Sequence, residues 1–475
     1  MTPPKRQLGL IVTAAIVIAN MVGTGIFTMT GFQAASVHDP LTILLAWVVG
    51  GLIALCGAAS YAELGSMMPR AGGEYVYLRE AYHPAAGFMS GWVSLTAGFS
   101  APIAVAALAF SRYLAALVPG LRAGAPWASG SLHIGSVSIS VHLGVGQAVA
   151  MGLIVVVTAL HAFDSKIGGW VQAGFTAAKV LLIVAFIAAG FFLGDGDWSH
   201  LASQQGGFSN IGTMAFATAL IYVSFAYSGW NAAAYIANEV EKPEKTLPRA
   251  LLLGTGIVMV LYVLLNVVYF YALPSDKLAG VFEVGDAAAR SLFGQSAGRL
   301  VTTVISLALV SSVSAMIMAG PRVYAAMAID RALPHQLAHH NKRGVPLTAV
   351  LTQGALAIVF CLVGDPDVLI RFVGFTLAIF AALTVGAVFI LRRRGKRAAY
   401  RTFGYPVTPV AFIGLSVWIA GAQIYNQPTE SLIIAGLLAV GAVLYLTMVR
   451  GKERLPDESL PELPEARVVG DDPPE

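Results

Sequence analysis

A single lysine interrupts one long apolar segment of this chain, and its depth makes it a candidate for chemistry. Counted from Gly168 at about 1.5 Å per residue, Lys179 lies roughly 16 Å into the segment, near the middle of a hydrocarbon layer. A charge at that depth must face a bundle interior or water, so it is a functional candidate. Desolvation disfavours the ammonium form, which suits a proton carrier or a built-in substitute for a coupling cation. The alternative is a structural lysine that extends towards the membrane surface.

Three serines of a later apolar segment are candidate partners of this lysine. Ser311, Ser312 and Ser314 form a run that is unusually polar for a membrane span. We assign them to the same coupling site as Lys179. Serines on membrane helices also bond the backbone carbonyls of their own helix, and that alternative stays open here.

Two glycine-containing stretches interrupt the helical pattern of their segments. Met21-Val22-Gly23-Thr24-Gly25-Ile26-Phe27 lies in the first apolar segment, and Tyr222-Val223-Ser224-Phe225-Ala226-Tyr227-Ser228-Gly229-Trp230-Asn231 lies in the sixth. Glycine weakens a helix interior by about 1 kcal/mol relative to alanine. In lipid, a broken backbone is tolerated only where it is buried in protein or lines a cavity. Small-residue helix packing is the alternative interpretation of the first stretch, and ordinary aromatic packing that of the second.

The ends of such broken helices select the chemical groups that they bind. The half-helix that begins near Thr24 presents free N–H groups and a positive dipole end, which suit a carboxylate, and Thr24 adds a hydroxyl. The half-helix that ends near Met21, and the carbonyls around Phe225 and Ser228, present acceptors that suit an ammonium. A site with both features suits the zwitterion of an α-amino acid. The backbone supplies this recognition without a charged side chain.

Composition places these stretches in a polytopic membrane protein. The chain has 475 residues, 57% of them hydrophobic and 11% charged, whereas a soluble domain carries about a quarter charged residues. Its two cysteines, Cys56 and Cys361, lie inside apolar segments and form neither a disulfide framework nor a metal-ligand spacing. We therefore expect no cofactor and no metal. The net charge of +4 comes from particular loops, so the expected surrounding is a lipid bilayer and not a nucleic acid.

Apolar runs of about 20 residues predict an all-α fold with 12 transmembrane helices. A transmembrane domain covers residues 1–450, with repeats at about 8–193 and 209–391 and extra helices over 408–450. Residues 451–475 are rich in proline and acid and are expected to form a disordered cytoplasmic tail. The loop 274–297 has a helical pattern. The predicted spans are 8–34, 41–67, 84–118, 143–162, 168–193, 209–238, 248–273, 299–328, 347–364, 367–391, 408–425 and 431–450.

The basic residues predict the orientation of the chain. With the N-terminus inside, most Lys and Arg residues fall in cytoplasmic loops, including Lys5, Arg6 and the run 392–397. Arg122, Lys277 and Arg290 are among the few outside. Both termini are then cytoplasmic, in a multi-pass protein of the cell (inner) membrane.

Several acidic residues lie near basic ones in the predicted cytoplasmic loops. They either form ion pairs at an inner gate or only cap helices and satisfy loop backbone, and exposed pairs contribute at most about 1 kcal/mol each. The acids are Glu63, Glu74, Glu239 and Glu241, and the neighbouring bases are Arg70, Arg79, Lys242 and Arg249. We expect no substrate role for them.

The two interrupted segments occupy matching positions in two five-span halves, spans 1–5 and 6–10. Span one begins inside and span six begins outside, so the halves have opposite topology. Inverted-repeat secondary transporters show this arrangement, and their substrate lies where the two helices unwind. The pattern therefore predicts a secondary active transporter with alternating access.

The motifs at and around the two breaks resemble those of the amino acid–polyamine–organocation (APC) superfamily, most closely its L-type amino acid transporter branch. The resemblance covers about residues 8–395. It implies a LeuT-like 5+5 inverted repeat with discontinuous helices 1 and 6, and an amino acid bound between spans one, three, six, eight and ten. The matching motifs are Gly23-Thr24-Gly25-Ile26-Phe27, Phe225-Ala226-Tyr227-Ser228-Gly229-Trp230-Asn231, Tyr61-Ala62-Glu63-Leu64-Gly65 with Pro69-Arg70-Ala71-Gly72-Gly73-Glu74-Tyr75, and Glu239-Val240-Glu241-Lys242-Pro243 with Leu247-Pro248-Arg249-Ala250.

The resemblance also implies roles for individual residues. Thr24 and Gly25 would hold the carboxylate of the substrate, and carbonyls of Met21, Phe225 and Ser228 would hold its amine. Lys179 matches a lysine that, in this branch, stands where sodium-coupled relatives bind sodium. The predicted substrate-binding set is completed by Gly23, Ile26, Ala226 and Gly229, and the candidates for an aromatic gate or cavity wall are Phe225, Tyr227 and Trp230.

The implied coupling is sodium-independent exchange or proton-coupled uptake, with protons as a candidate partner. Two departures from the branch stand out. Its animal members pair through a loop cysteine that is absent here, so no covalent heavy subunit is expected. Thr24 stands where serine is common and keeps the hydroxyl.

Other functions stay open at this point. Spans one, three, six, eight and ten carry no midplane Asp or Glu, which favours neutral L-amino acids over the alternative, a cationic amino acid or polyamine antiporter. A non-transporting amino acid sensor is the candidate from a different class. No H-E-x-x-H or G-x-S-x-G motif accompanies the spans, so an enzyme is not expected.

Overall fold

Apolar helices dominate the structure. The computed structural model describes residues 8–121, 125–134, 137–163, 165–203, 207–341, 344–363 and 366–451. Within these ranges, ten helical stretches are long and apolar enough to cross a membrane. Two shorter apolar helices, Met214–Tyr227 and Leu347–Phe360, lie within the predicted sixth and ninth spans. The chain is therefore a multi-pass, mostly helical membrane protein.

The first part of the chain contains the interrupted first span and a third span with a π-helical segment. That segment, Ser94–Ser100, lies between two α-helices. Such a segment inserts an extra residue into a helical turn and often marks a functional site. The helices are α1 Leu10–Met21, α2 Thr24–Val37, α3 Pro40–Met67, α4 Glu74–Ala81, α5 Pro84–Val93, α6 Ala101–Leu117, α7 Val145–Phe163 and α8 Ser165–Leu193.

The all-α prediction is wrong for one loop. Residues Ala128–Ile134 (β1) and Val137–Leu143 (β2) form an antiparallel hairpin within the predicted loop 119–142, with Ala128 opposite Leu143. The sequence Val137-Ser138-Ile139-Ser140-Val141 alternates apolar and polar residues, which is the pattern of a strand with two different faces. The segment is too short and too polar to stand out as a long apolar run.

The second part of the chain contains the interrupted sixth span and a long kinked eighth span. Its helices are α9 Met214–Tyr227, α10 Ala232–Tyr235, α11 Pro243–Ala272, α12 Ser275–Leu278, α13 Val284–Ile329, α14 Leu347–Phe360, α15 Pro366–Arg393, α16 Val407–Asn426 and α17 Pro428–Leu444. Short 3₁₀ turns and a terminal π-helical turn, Tyr445–Val449, complete the described elements.

The predicted helical pattern in loop 274–297 is confirmed, and the loop is continuous with the eighth span. Gly294 adopts φ 81° inside α13, so the loop helix and the span meet at a kink. Asp286 links the two sides of this kink, because it accepts hydrogen bonds from Arg290 before the glycine and from Thr302 after it. The left-handed φ is why glycine is needed at this position.

The ion pairs at the predicted cytoplasmic end do not follow the neighbours in the sequence. Arg70 and Arg79 both pair with Asp330, which ends the eighth span. Two of the acids pair with other spans, Glu63 with Arg392 and Glu239 with Arg322. Helices that are distant in the sequence supply these partners, so proximity along the chain was a poor guide.

Three predicted features lie outside the described residues. They are the basic pair Lys5 and Arg6, the loop residue Arg122, and the tail from residue 452 onwards.

Candidate functional site

The first span is interrupted inside the core. Helix α1 ends at Met21, and Val22 (φ −74°, ψ 90°) and Gly23 (φ −132°, ψ −147°) leave the helical region before α2 begins at Thr24. Met21, Val22 and Thr24 are all buried. The carboxyl end of one half-helix and the amino end of the other therefore face each other across two residues, away from lipid.

The sixth span is interrupted by a turn. Helix α9 ends at Tyr227, and the N–H of Ser228 donates to the carbonyl of Phe225 at 3.0 Å. Gly229 follows with φ 94°, a left-handed conformation that side chains rarely adopt. The chain resumes as the short helix α10 at Ala232.

The two interruptions pack against each other through glycines. A Cβ on Gly25 would lie 2.4 Å from the α-carbon of Ala226, and a Cβ on Gly229 would lie 2.8 Å from the carbonyl of Asn20. Neither position has room for a side chain, because the atoms in the way belong to the backbone. The structure thus brings the two predicted glycine motifs together as one site.

Lys179 caps the first half-helix. Its Nζ donates to the carbonyls of Val22 at 2.8 Å and Ala19 at 3.3 Å, and to Ser312 Oγ at 3.1 Å. Ser312 in turn donates to the Val22 carbonyl at 2.9 Å. The lysine is only 1% exposed, so its amino group lies in the protein interior, where the free carbonyls at the end of α1 concentrate negative potential.

The predicted serines divide between two partners. Ser312 contacts Lys179, as predicted, whereas Ser314 Oγ lies 2.8 Å from His161 Nε2. Ser311 is buried on the same helix and has a partner of its own. The structure therefore joins one of the three serines to the lysine. His161 and Arg322 line a separate cavity of about 760 Å³ near the loop that ends at Pro346.

A tyrosine that the sequence analysis missed bridges the first break. The hydroxyl of Tyr262, on α11, donates to the Met21 carbonyl at 2.6 Å and also receives the backbone N–H of Gly23. Tyr262 is fully buried and packs its ring against Trp47 and Tyr227. It belongs to an apolar span without any motif, so no sequence pattern indicates this role.

Two of the predicted site residues, Thr24 and Ser228, carry hydroxyl groups. Thr24 begins α2, and neither its hydroxyl nor that of Ser228 has a hydrogen-bond partner among the described residues. The first turn of α2 also contains Gly25 and Ile26, whose N–H groups precede the regular helical bonds. A hydroxyl and free N–H groups at a helix start can bind an anion such as a carboxylate.

The aromatic candidates have different surroundings. Trp230 lines a cavity of about 70 Å³ together with Ser228 and Glu74, and its ring packs on Tyr61 at a centroid distance of 4.6 Å. Tyr227 lines the same cavity, but its hydroxyl donates to the carbonyl of Trp47 at 3.1 Å. Phe225 is buried two residues before Tyr227 on α9. Trp230 is therefore placed as a cavity wall, while Tyr227 also anchors α9 to α3.

Known proteins resemble this chain over most of its length. A family model described as amino acid permease matches residues 8–447. The serine/threonine exchanger SteT of Bacillus subtilis is 30% identical, over 89% of this chain and 92% of its own length. The b(0,+)-type amino acid transporter 1 of Mus musculus is 27% identical, over 94% and 89%. The large neutral amino acids transporter small subunit 2 of Homo sapiens is 28% identical, over 82% and 70%.

Proposed function

The chain belongs to the amino acid permease family, and from that premise we propose that it is a sodium-independent exchanger of neutral L-amino acids. The observation that carries the proposal is the contact between Lys179 and the free carbonyls of α1 beside the paired breaks. The family is one of transporters and not of enzymes.

We assign the carboxylate of the substrate to the start of α2. The hydroxyl of Thr24 and the N–H groups of the first turn, including Gly25, are the donors available there. The helix dipole adds favourable potential for an anion at this end. This arrangement recognises the group that all α-amino acids share.

We assign the amine of the substrate to the carbonyls of Met21, Phe225 and Ser228. The Met21 carbonyl already accepts from Tyr262, and the Phe225 carbonyl accepts from Ser228. A carbonyl oxygen has two lone pairs, so each keeps one acceptor position for an ammonium. Tyr262 would then hold the Met21 carbonyl at a fixed orientation.

Sodium independence follows from the place of the lysine. Its ammonium donates to carbonyls at the end of α1 and to Ser312, which are oxygen donors of the kind that a small cation would otherwise use. A second positive charge at the same oxygens would be repelled by the ammonium. The transport cycle therefore needs no sodium ion.

The names of the relatives support exchange and a neutral substrate. One is a serine/threonine exchanger and another is a transporter of large neutral amino acids. Glu74 is the one acidic residue that lines the cavity beside Trp230 within the described part of the chain. It favours proton-coupled uptake as the second candidate for coupling.

We further propose that transport follows an alternating-access cycle. The fold is a LeuT-like 5+5 inverted repeat with 12 transmembrane helices. The protein lies in the cell membrane, and both of its termini are on the cytoplasmic side. We also propose that no heavy subunit is bound by a disulfide. Both cysteines support this, since Cys361 is fully buried and Cys56 lies in the middle of α3.

Counterflow in proteoliposomes tests the proposal. Vesicles loaded with unlabelled serine, alanine, leucine, arginine or putrescine are diluted into labelled serine, with sodium or choline as the external cation. We expect exchange with the neutral amino acids at equal rates in both cations. Exchange with arginine or putrescine alone would support the cationic antiporter instead, and a requirement for sodium would contradict the role given to Lys179. Binding without counterflow would indicate a sensor.

A further inference from the structure

A buried carboxyl group without a cationic partner lies beside the break of the sixth span. Glu74, the first residue of α4, is 3% exposed. Its Oε1 accepts hydrogen bonds from the hydroxyl of Tyr61 at 2.5 Å and from Asn231 Nδ2 at 2.8 Å. No Lys or Arg within the described ranges forms an ion pair with it, whereas Glu63 and Glu239 are both paired with arginine. Buried carboxylates are normally paired, so this exception is a functional candidate.

The loop that carries Glu74 is tightly seated on the second half of the sixth span. Gly72 and Gly73 adopt φ values of 114° and 50°, and a Cβ on Gly73 would lie 2.6 Å from the ring of Tyr235. The N–H of Gly72 donates to the Tyr235 carbonyl at 3.3 Å. Asn231 Nδ2 also donates to the Tyr235 hydroxyl at 2.9 Å. Loop, carboxyl and span six therefore form one connected contact.

The polar groups around Glu74 are almost all neutral. Tyr61 faces it from α3, Asn231 and Tyr235 from the sixth span, and Tyr77 from its own helix. The hydroxyl of Tyr61 also contacts Thr384 of α15. The walls of the adjoining cavity from α15 and α16 are uncharged, and they comprise Gly374, Leu377, Ala378, Ala381, Phe412, Ser416 and Ile419.

Charged groups nearby are already engaged with one another. Arg79 of the same helix pairs with Asp330, which also accepts from Tyr75 at 2.9 Å. Burial therefore dominates the titration of Glu74 and raises its pKa, although the hydrogen bonds from Tyr61 and Asn231 oppose the rise. The carboxyl takes up a proton at a higher pH than an exposed glutamate does.

We propose that Glu74 is a proton-binding site that controls how firmly the second half of the sixth span is held against α3, an inference that rests on the proposed transport function. The ionised carboxylate holds the span in place (the fastened form), and the protonated carboxyl group releases it. Ionised, the carboxylate accepts from both Tyr61 and Asn231 at a single oxygen and so joins α3 to the sixth span. A proton taken from water in the adjoining cavity forms an O–H bond on the carboxyl. The neutral group is the weaker acceptor, and its new O–H needs an acceptor in turn.

The site is coupled to the substrate through the chain itself. Asn231 follows Gly229 and Trp230 directly, and Gly229 contacts the carbonyl of Asn20 at the end of the first half-helix. Release of Asn231 therefore loosens the turn against which the substrate binds. If protonation of Glu74 weakens substrate binding by some factor, bound substrate lowers the proton affinity of Glu74 by that same factor.

The test is the pH profile of counterflow with equal pH on both sides of the vesicle membrane. We expect the counterflow rate of the wild-type protein to change with pH. The fastened form, with Glu74 ionised, is present above the pKa of Glu74 and is lost as the pH falls through that pKa. Glu74→Gln removes the titrating group and keeps a neutral side chain of the same size. Its counterflow rate should not change with pH and should equal the rate of the wild type at acidic pH. Glu74→Asp should restore the pH dependence. Glu241→Gln, a neutralised acid on the exposed surface, should keep the wild-type profile.

A second variant keeps the proposal testable should Glu74→Gln fail to fold. Tyr61→Phe removes one donor to the carboxylate, so the midpoint of the titration should move to higher pH by roughly one unit, a tenfold change in proton affinity. A wild-type profile in Glu74→Gln, or an unmoved midpoint in Tyr61→Phe, would overturn the proposal. Absence of counterflow in the wild type at every pH would instead refute the transport function, so the two failures are distinguishable.

Discussion

The ammonium of Lys179 and the carbonyl of Val22 lie 2.8 Å apart, and this bond joins the fifth span to the point where the first span is broken. Val22 is the residue after the last helical position of α1, so its carbonyl has no partner within that helix. The lysine thus does two things at once. It satisfies the end of a half-helix and it places a hydrogen-bond donor beside the site assigned to the substrate.

Replacement of Lys179 by alanine should impair exchange while the protein still inserts into the membrane. The carbonyls of Val22 and Ala19 lose a charged donor, and each such hydrogen bond contributes about 1.5–3 kcal/mol. We expect counterflow to fall at least about tenfold. Lys245→Ala, at an exposed position of α11, is the matched control and should leave the rate unchanged. A wild-type rate in Lys179→Ala would remove the lysine from the mechanism.

Replacement of Tyr262 by phenylalanine should weaken substrate binding. The change deletes the hydroxyl that bridges Met21 and Gly23 and leaves the ring packing in place. A lost hydrogen bond at a buried backbone carbonyl corresponds to about 1–2 kcal/mol, or roughly 5- to 30-fold in apparent affinity. Tyr425→Phe, on a side chain that is 76% exposed, is the control. Equal affinities in the two variants would show that the bridge does not hold the site.

Glycine at the contact between the breaks should be irreplaceable. In Gly25→Ala the new methyl group would meet the backbone of Ala226, and in Gly229→Ala it would meet Asn20 in a backbone conformation that alanine rarely adopts. We expect both to lose counterflow. Gly421→Ala, where a Cβ meets nothing within 4 Å, should behave as the wild type. The comparison is made on protein that elutes as a single species in detergent. Counterflow in either variant would refute the close backbone contact between the two breaks.

Replacement of Thr24 by alanine should cost one hydroxyl contact to the carboxylate. The expected loss is about 1 kcal/mol, or roughly fivefold in apparent affinity, with the maximal rate less affected. Thr218→Ala is the control, since Thr218 is half-buried on α9 and donates to the carbonyl of Met214 in its own helix. An unchanged affinity in Thr24→Ala would count against the carboxylate assignment.

The spans, their interruptions and the buried lysine could be predicted because each follows from a local rule. Long apolar runs indicate membrane helices, paired glycines mark a break, and an isolated charge in such a run needs a partner. The pairing of Ser312 with Lys179 was also within reach, because both lie deep in their spans. These features depend on composition within a short window.

The remaining features depend on which helices meet, and no local pattern reveals that. Tyr262 lies in an apolar run like many others, and only the packing of α11 on α1 turns its hydroxyl towards Met21. Arg70 and Arg79 both pair with Asp330, which lies more than 250 residues away in the sequence. Glu74 was predicted to lie in a cytoplasmic loop, where it would either form an ion pair or cap a helix. It is instead buried against Tyr61 and Asn231, and no ion pair to it occurs within the described residues.

Competition against serine counterflow tests the central claim, that the two breaks bind the amine and the carboxylate of an α-amino acid together. The competitors are alanine, ethylamine, which lacks the carboxylate, and propionate, which lacks the amine. We predict that alanine competes and that each truncated compound loses at least about 100-fold in apparent affinity, since the charged hydrogen bonds of the missing group are left unmade. Competition by ethylamine or propionate equal to that of alanine would contradict the account.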